Sequence, residues 1–154
     1  MYVPLTDKEA YEGDKGIDDQ LTAVVIEFEN QNRIVITWAM EDQFEGLAIF
    51  KDETYTEIGN KIIDAGDRAG WHKFLDQNIT AVGVSWQVSG EGCPESLWAL
   101  RLSFLKGDVV IALGSNNNSD LNYMPDELLV IFDPALAKGY HPKHTKEAAW
   151  GALL

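Results

Sequence analysis

His141 and His144 lie three residues apart, a spacing at which two imidazoles on one helical face can share a metal ion, with Glu147 three residues further on. Pro142 separates the two histidines, and two lysines flank them. Proline disrupts a helix, and lysine ammonium groups repel a cation. We therefore predict no metal at this motif, and we interpret it as part of a solvated tail.

Carboxylates are the most abundant reactive groups, and a pair of them can act as general acid and general base. Several occur as adjacent doublets, namely Asp18-Asp19, Glu41-Asp42, Asp52-Glu53 and Asp126-Glu127. Neighbouring residues of a strand point to opposite faces, so a doublet does not by itself bring two carboxylates together. An acid–base pair would need carboxylates from two different strands.

Motifs for nucleotide binding and for nucleophilic catalysis are missing from the sequence. The segment Gly90-Glu91-Gly92 lacks the third glycine and the following helix of a dinucleotide-binding loop. Neither a phosphate-binding Gly-Lys-Ser/Thr nor a Gly-x-Ser-x-Gly elbow occurs. Cys93 has no histidine near it in the sequence, and we interpret it as an inert loop cysteine. The sequence thus predicts no catalytic residue and no cofactor.

The formal net charge of −13 is the main compositional signal. It is concentrated in residues 1–77, which carry 17 acidic against 7 basic side chains. Such a surface repels the phosphates of nucleic acids and of anionic lipids, and it attracts a basic protein. We therefore expect no binding to nucleic acid or membrane and a basic protein as the partner. Plain solubility is the alternative explanation of the charge.

Length and cysteine content bound the organisation of the chain. A chain of 154 residues with 45% apolar residues is one ordinary domain, 1–154, that can bury a core. Its single cysteine excludes an internal disulfide and suits a reducing compartment. Residues 1–16 lack the basic start and apolar run of a signal peptide, and no apolar run approaches the length of a membrane span. The predicted location is cytoplasmic.

The strands that position these side chains are clearest in a hairpin over Leu97–Gly114. Two apolar runs flank Lys106-Gly107, which we predict to be the loop. This register pairs apolar residues on one face, namely Phe104 with Val109, Leu102 with Ile111 and Leu100 with Leu113.

A second hairpin is predicted on either side of the loop Asn30-Gln31-Asn32. Its register would pair Phe28 with Ile34, Ile26 with Ile36 and Val24 with Trp38. On the opposite face Glu29 would meet Arg33.

The acidic residues of this second hairpin form the predicted partner-binding surface. Alternation places Glu27 and Glu29 on the outward face of one strand. Glu41, Asp42 and Glu45 follow at the far end of the same hairpin. Together they predict a negative stripe that a basic partner would recognise.

Tryptophans divide into two groups by sequence context. Trp38, Trp86 and Trp98 lie on the apolar side of alternating strands, which predicts that they pack in the core. Trp71 and Trp150 lie outside the predicted strands. We include Trp71 in the partner-binding set, because such residues anchor interfaces.

The same patterns predict the secondary structure of much of the remaining chain. Residues 79–88, 97–105 and 108–114 predict an antiparallel meander, and residues 127–132 predict a buried strand. After it, Asp133 would cap a short helix that begins at Pro134. Residues 51–78 give no firm element, because glycines interrupt the helical spacing.

Both ends of the chain are predicted to lie outside the compact part. We interpret residues 1–20 as a flexible acidic arm and residues 139–154 as a C-terminal tail. The predicted fold class is mainly β, or α+β at most. Antiparallel hairpins and a meander would form a curled sheet, a sandwich or a partly open barrel with little helix.

Three functional hypotheses follow. The first is a non-enzymatic binding module, an inhibitor of a basic partner; small acidic bacterial proteins of this composition include some immunity proteins that neutralise basic toxins. That likeness covers composition alone, so no site residue is carried over. The second is a ligand-binding β domain or a hydrolase that uses carboxylates in a β cavity. The third is a self-assembling structural protein whose apolar C-terminal tail docks on a second copy.

Overall fold

The computed structural model describes residues 2–5, 17–41, 44–51, 61–118 and 120–154. These ranges form a mainly antiparallel β structure with little helix, which confirms the predicted fold class. The first strands are β1 (Tyr2–Leu5), β2 (Ile17–Leu21), β3 (Ala23–Glu27), β4 (Arg33–Glu41), β5 (Phe44–Lys51) and β6 (Lys61–Asp64). A 3-10 turn (Ala65–Asp67) and helix α1 (Ala69–His72) follow.

The second half of the chain begins with the meander β7 (Ala81–Val88), β8 (Glu95–Phe104) and β9 (Gly107–Leu113). It continues with β10 (Ser115–Asn117), β11 (Asp120–Asn122), β12 (Leu128–Ile131), helix α2 (Pro134–Gly139) and β13 (Ala152–Leu153). As predicted, Asp133 caps α2, and its Oδ1 accepts a 2.8 Å hydrogen bond from the amide of Ala135. Neither helix in these ranges has the length and apolar character needed to cross a membrane.

One large sheet dominates the fold. Its 11 strands run in the order β13-β7-β8-β9-β12-β2-β1-β3-β4-β5, with β6 paired to β1, while β10 and β11 form a separate 2-stranded sheet. The large sheet curls so that β5 lies against β8. At Gly46 on β5 a Cβ atom would lie only 2.9 Å from the carbonyl oxygen of Leu97, so this close approach needs glycine.

The central hairpin is confirmed, but its predicted loop is wrong. Leu105 and Lys106 form the turn, and Gly107, with φ of +135°, begins β9. Consequently Leu102 lies opposite Val109, a register two residues away from the predicted one. A shift of two keeps every side chain on its face, so the apolar face still packs in the core.

The second hairpin shows the same difference of two residues. Its loop spans residues 28–32, and Gln31 takes the left-handed conformation with φ of +63°. Ile26 therefore lies opposite Ile34, and Glu27 opposite Arg33. The predicted Glu29–Arg33 pair is replaced by a Glu27–Arg33 ion pair with a 2.8 Å N–O distance.

The predicted faces of β7 are wrong at the end of that strand. The pairing of β7 with β8 shifts register between Ser85 and Trp86, where β8 carries the extra residue, Trp98. Ser85 and Gln87 are fully buried, whereas Trp86 is 40% exposed. The prediction that Trp86 packs in the core is therefore wrong, while Trp98 is fully buried as predicted.

The predicted acidic arm, residues 1–20, is corrected where it is described. Residues 2–5 and 17–20 belong to strands β1 and β2 of the large sheet. Ile17 and Asp18 are buried, with 4% and 5% of their surface exposed. The remaining residues of the predicted arm, Met1 and 6–16, lie outside the described ranges.

The predicted C-terminal tail, residues 139–154, is also corrected. Tyr140, Thr145 and Ala149 are buried, and β13 pairs antiparallel with β7. Ser85 donates a 2.7 Å hydrogen bond to the carbonyl oxygen of Ala148. The segment therefore forms part of the folded domain.

Candidate functional site

An open groove of about 600 Å³ lies between the β3–β4 loop and the segment that follows α1. This volume lies in the range of ligand-binding clefts, about 300–1,000 Å³. Thirteen residues line it: Ile26, Glu27, Phe28, Glu29, Asn30, Gln31, Phe74, Leu75, Asp76, Gln77, Asn78, Ile79 and Phe104. We call this surface the acidic groove.

The interior of the acidic groove is apolar and fixed by aromatic packing. Phe74 is 3% exposed, and its ring centroid lies 5.0 Å from that of Phe104. Phe74 also stacks on Phe132 at 6.3 Å, which ties the groove to the core. Phe28 is 37% exposed and offers apolar surface to a ligand. The groove can therefore contact the aliphatic part of a bound side chain.

Carboxylates give the acidic groove its charge. Its lining contains Glu27, Glu29 and Asp76, but none of its thirteen residues is lysine or arginine. Glu27 is partly neutralised, because Oε2 accepts a 2.9 Å hydrogen bond from Nε of Arg33 in the ion pair. Glu29 and Asp76 are exposed and belong to none of the salt bridges found within the described ranges.

The polar part of the lining also carries four side-chain amides. Asn30 and Gln31 come from the β3–β4 loop, and Gln77 and Asn78 from the opposite wall. The backbone amide of Asn32 donates to Oδ1 of Asn30 at 3.1 Å, which shapes the loop. Side-chain amides can both donate and accept hydrogen bonds, so the groove suits a polar chain segment with a positive charge.

The predicted partner-binding residues do not form one stripe. Glu27 lies opposite Arg33 at the start of β4, whereas Glu45 lies opposite Met40 near its end. Seven residues of a strand span about 23 Å, so the two ends of the hairpin present separate surfaces. Glu41 ends β4, and Asp42 lies outside the described residues.

Trp71 is removed from the predicted contact set, because its side chain is fully buried. Its indole packs edge-on against Phe132, with ring centroids 5.2 Å apart. A tryptophan without exposed surface cannot anchor a partner, and here it anchors the segment behind the acidic groove. The sequence context of Trp71 suggested exposure only because the surrounding pattern was irregular.

Glu45 is held by a hydrogen-bonded chain and is not a free surface charge. Its Oε1 accepts from the hydroxyl of Tyr123 at 2.9 Å, and that hydroxyl accepts from Nε2 of Gln87 at 2.7 Å. A carboxylate only accepts hydrogen bonds, so it fixes the donor and acceptor roles of every group in this hydrogen-bonded network. Gln87 must then present Oε1 to Nε2 of His144, 3.2 Å away, which donates. Burial raises the pKa of Tyr123 above its ordinary value near 10, so the hydroxyl stays protonated.

Sequence reasoning missed the wall of the acidic groove that carries Asp76. Residues 73–79 follow no helical or strand period, and Asp76 takes a left-handed conformation with φ of +56°. The available signal was the polar triplet Asp76-Gln77-Asn78 between apolar residues, typical of an exposed turn.

The two histidines of the predicted non-metal motif engage different partners. Nε2 of His141 donates to the carbonyl oxygen of Thr145 at 3.0 Å, while Nε2 of His144 donates to Gln87. Within the part of the chain that the structure describes, no group of three or more His, Cys, Asp or Glu could hold a metal ion.

Comparison of the chain with models of protein families, with curated proteins and with solved structures finds no match.

Proposed function

We propose that the protein is a non-enzymatic binding module whose acidic groove takes a basic segment of a partner protein. The observation that carries this proposal is that Glu29 and Asp76 line the same groove, one from the β3–β4 loop and one from the segment after α1. Both carboxylates are exposed, so neither needs an internal cation. An arginine or lysine side chain fits this arrangement.

The chemistry of the lining complements each part of such a side chain. The aliphatic stem of arginine or lysine would lie on the exposed ring of Phe28, and its charged end would meet the carboxylates. Aromatic faces also attract cations. The side-chain amides of Gln31 and Asn78 can bond the backbone of an extended segment.

The net charge of −13 acts at longer range. It accelerates the approach of a basic partner and slows that of an acidic one. Because the electrostatic screening length falls to about 8 Å at physiological ionic strength, binding should weaken steeply as the salt concentration rises. This behaviour suits an inhibitor of a basic protein, of the kind that immunity proteins exemplify. We place it in the cytoplasm, which suits the single Cys93.

A charge-reversal experiment tests the proposal with a defined probe, a hexa-arginine peptide. Glu29→Lys combined with Asp76→Lys should weaken binding at least tenfold by isothermal titration calorimetry. The matched control is Glu91→Lys with Asp126→Lys, two exposed acids outside the groove, which changes the net charge equally. The proposal predicts a much smaller loss for the control. Equal losses of affinity in the two double variants would mean that the peptide responds only to net charge, which would overturn the proposal.

A further inference from the structure

A second cavity, of about 670 Å³, lies between α2 with the segment after it and the residues around β11. Its lining consists of Leu121, Asn122, Tyr123, Ala135, Leu136, Gly139, Tyr140, His141, Pro142, Lys143 and His144. We call it the basic cavity. Most of its wall comes from a segment that the sequence alone predicts to be a solvated tail.

The charge of the basic cavity is opposite to that of the whole chain. Its lining contains His141, Lys143 and His144, and no aspartate or glutamate is among its lining residues. In a chain with 25 acidic and 12 basic residues, such a separation of charge creates a local environment that favours an anion.

Two carboxylates near this region are already engaged. Glu45 reaches this region only through Tyr123, whose hydroxyl donates to it at 2.9 Å. Glu95 forms an ion pair with Lys146. Neither carboxylate lines the basic cavity, so neither competes directly with a bound anion for Lys143.

Hydrogen bonds fix the orientation of both histidines. Nε2 of His141 donates to a carbonyl oxygen, and Nε2 of His144 donates to Oε1 of Gln87. The ring of His144 also packs edge-on against Tyr123, with centroids 4.3 Å apart. Both rings therefore carry a proton on Nε2 and use it within the protein.

The other walls are apolar and rigid. Tyr140 is 5% exposed, and its hydroxyl donates to the carbonyl oxygen of Leu113 at 2.8 Å, so its ring is held in place. Leu121 and Leu136 are partly buried and pack against the core. These walls suit an apolar or aromatic body attached to the anionic group.

We propose that the basic cavity binds a small organic anion, a carboxylate or phosphate ester with an apolar or aromatic body. Lys143 would hold the anionic group, and Leu121 with Leu136 would contact the body. This site is independent of the acidic groove, which would repel such a ligand. The two proposals can therefore fail separately.

Titrations followed by two-dimensional ¹⁵N–¹H NMR test this inference with benzoate, phenyl phosphate and the neutral analogue benzamide. The proposal predicts saturable shifts at the amides of His141, Lys143 and His144 with at least one anion and binding of benzamide at least tenfold weaker. Preference for benzoate or for phenyl phosphate would define which anionic group the site takes. Binding of benzamide as tight as that of both anions, or shifts located elsewhere, would overturn the proposal.

Variants with equal change in net charge complete the test. Lys143→Gln should weaken anion binding about three- to tenfold, because a charge-assisted contact is lost. Lys106→Gln, at the exposed β8–β9 turn, should leave the affinity unchanged. Both lysines are exposed, so folding is expected to persist in each variant. The same loss in both variants would contradict a site at Lys143.

Discussion

The indole N–H of Trp71 donates a 3.1 Å hydrogen bond to Oδ2 of Asp18, a residue 53 positions earlier in the chain. The other carboxylate oxygen lies 3.2 Å from Nη1 of Arg68. These contacts join β2 to α1 in a largely buried setting. Phe74 and Asp76 lie shortly after α1 in the chain. The contacts of Asp18 therefore hold in place the segment that forms one wall of the acidic groove.

Asp18→Ala should destabilise the protein by about 3–5 kcal/mol, since it leaves Arg68 as a buried cation without this carboxylate. The measurement is the free energy of unfolding from urea titration. Asp120→Ala, an exposed aspartate in β11, is the matched control and should change stability by less than about 0.5 kcal/mol. Similar values for the two variants would mean that the contact of Asp18 with Arg68 and Trp71 contributes little.

The turn of the central hairpin can be tested by two truncations. Ile111→Ala should cost about 2–5 kcal/mol, because Ile111 is fully buried. Leu105→Ala should cost less than about 0.5 kcal/mol, because Leu105 lies in the turn and is 89% exposed. A large loss at Leu105 in urea titrations would contradict an exposed side chain in this turn.

Stability should fall in alkaline solution through Tyr140. Burial raises the pKa of this tyrosine in the folded state above its ordinary value near 10, and the nearby Tyr123 adds to the shift. The contribution of Tyr140 to the free energy of unfolding is therefore fully present below pH 10. It declines at higher pH, where this tyrosine ionises in the unfolded chain, by at most about 1.4 kcal/mol per pH unit. Unfolding free energies at pH 9–11.5 should fall less steeply in Tyr140→Phe. Identical slopes in the two proteins would contradict this.

Side-chain alternation predicts which residues face the core, but not the register of the hairpins. Both hairpins differ by two residues from the sequence-based register, so the faces are right and the pairs are not. The cause is local: Gly107 and Gln31 have positive φ, and nothing marks Gln31 as a residue that adopts it. On β7 the face of Ser85 and Gln87 is buried because the segment with Thr145 and Ala148 contacts it, and alternation alone does not reveal that contact.

The candidate site was only half predictable. Glu27 and Glu29 follow from the hairpin pattern, and both line the acidic groove. Asp76 comes from a non-periodic segment, and its position depends on the contact between Trp71 and Asp18, which are far apart in the sequence. The separation of Glu45 from the groove depends on the length of β4 and on the network around Tyr123.

The most direct test of the central claim is an NMR map of the hexa-arginine peptide on the ¹⁵N-labelled protein at low salt. A basic segment in the acidic groove should give its largest amide shifts at residues 29–31 and 76–78. Residues around Glu45 and Tyr123 should change little. Largest shifts around Glu45, or shifts spread evenly over the acidic surface, would contradict the acidic groove as the binding site.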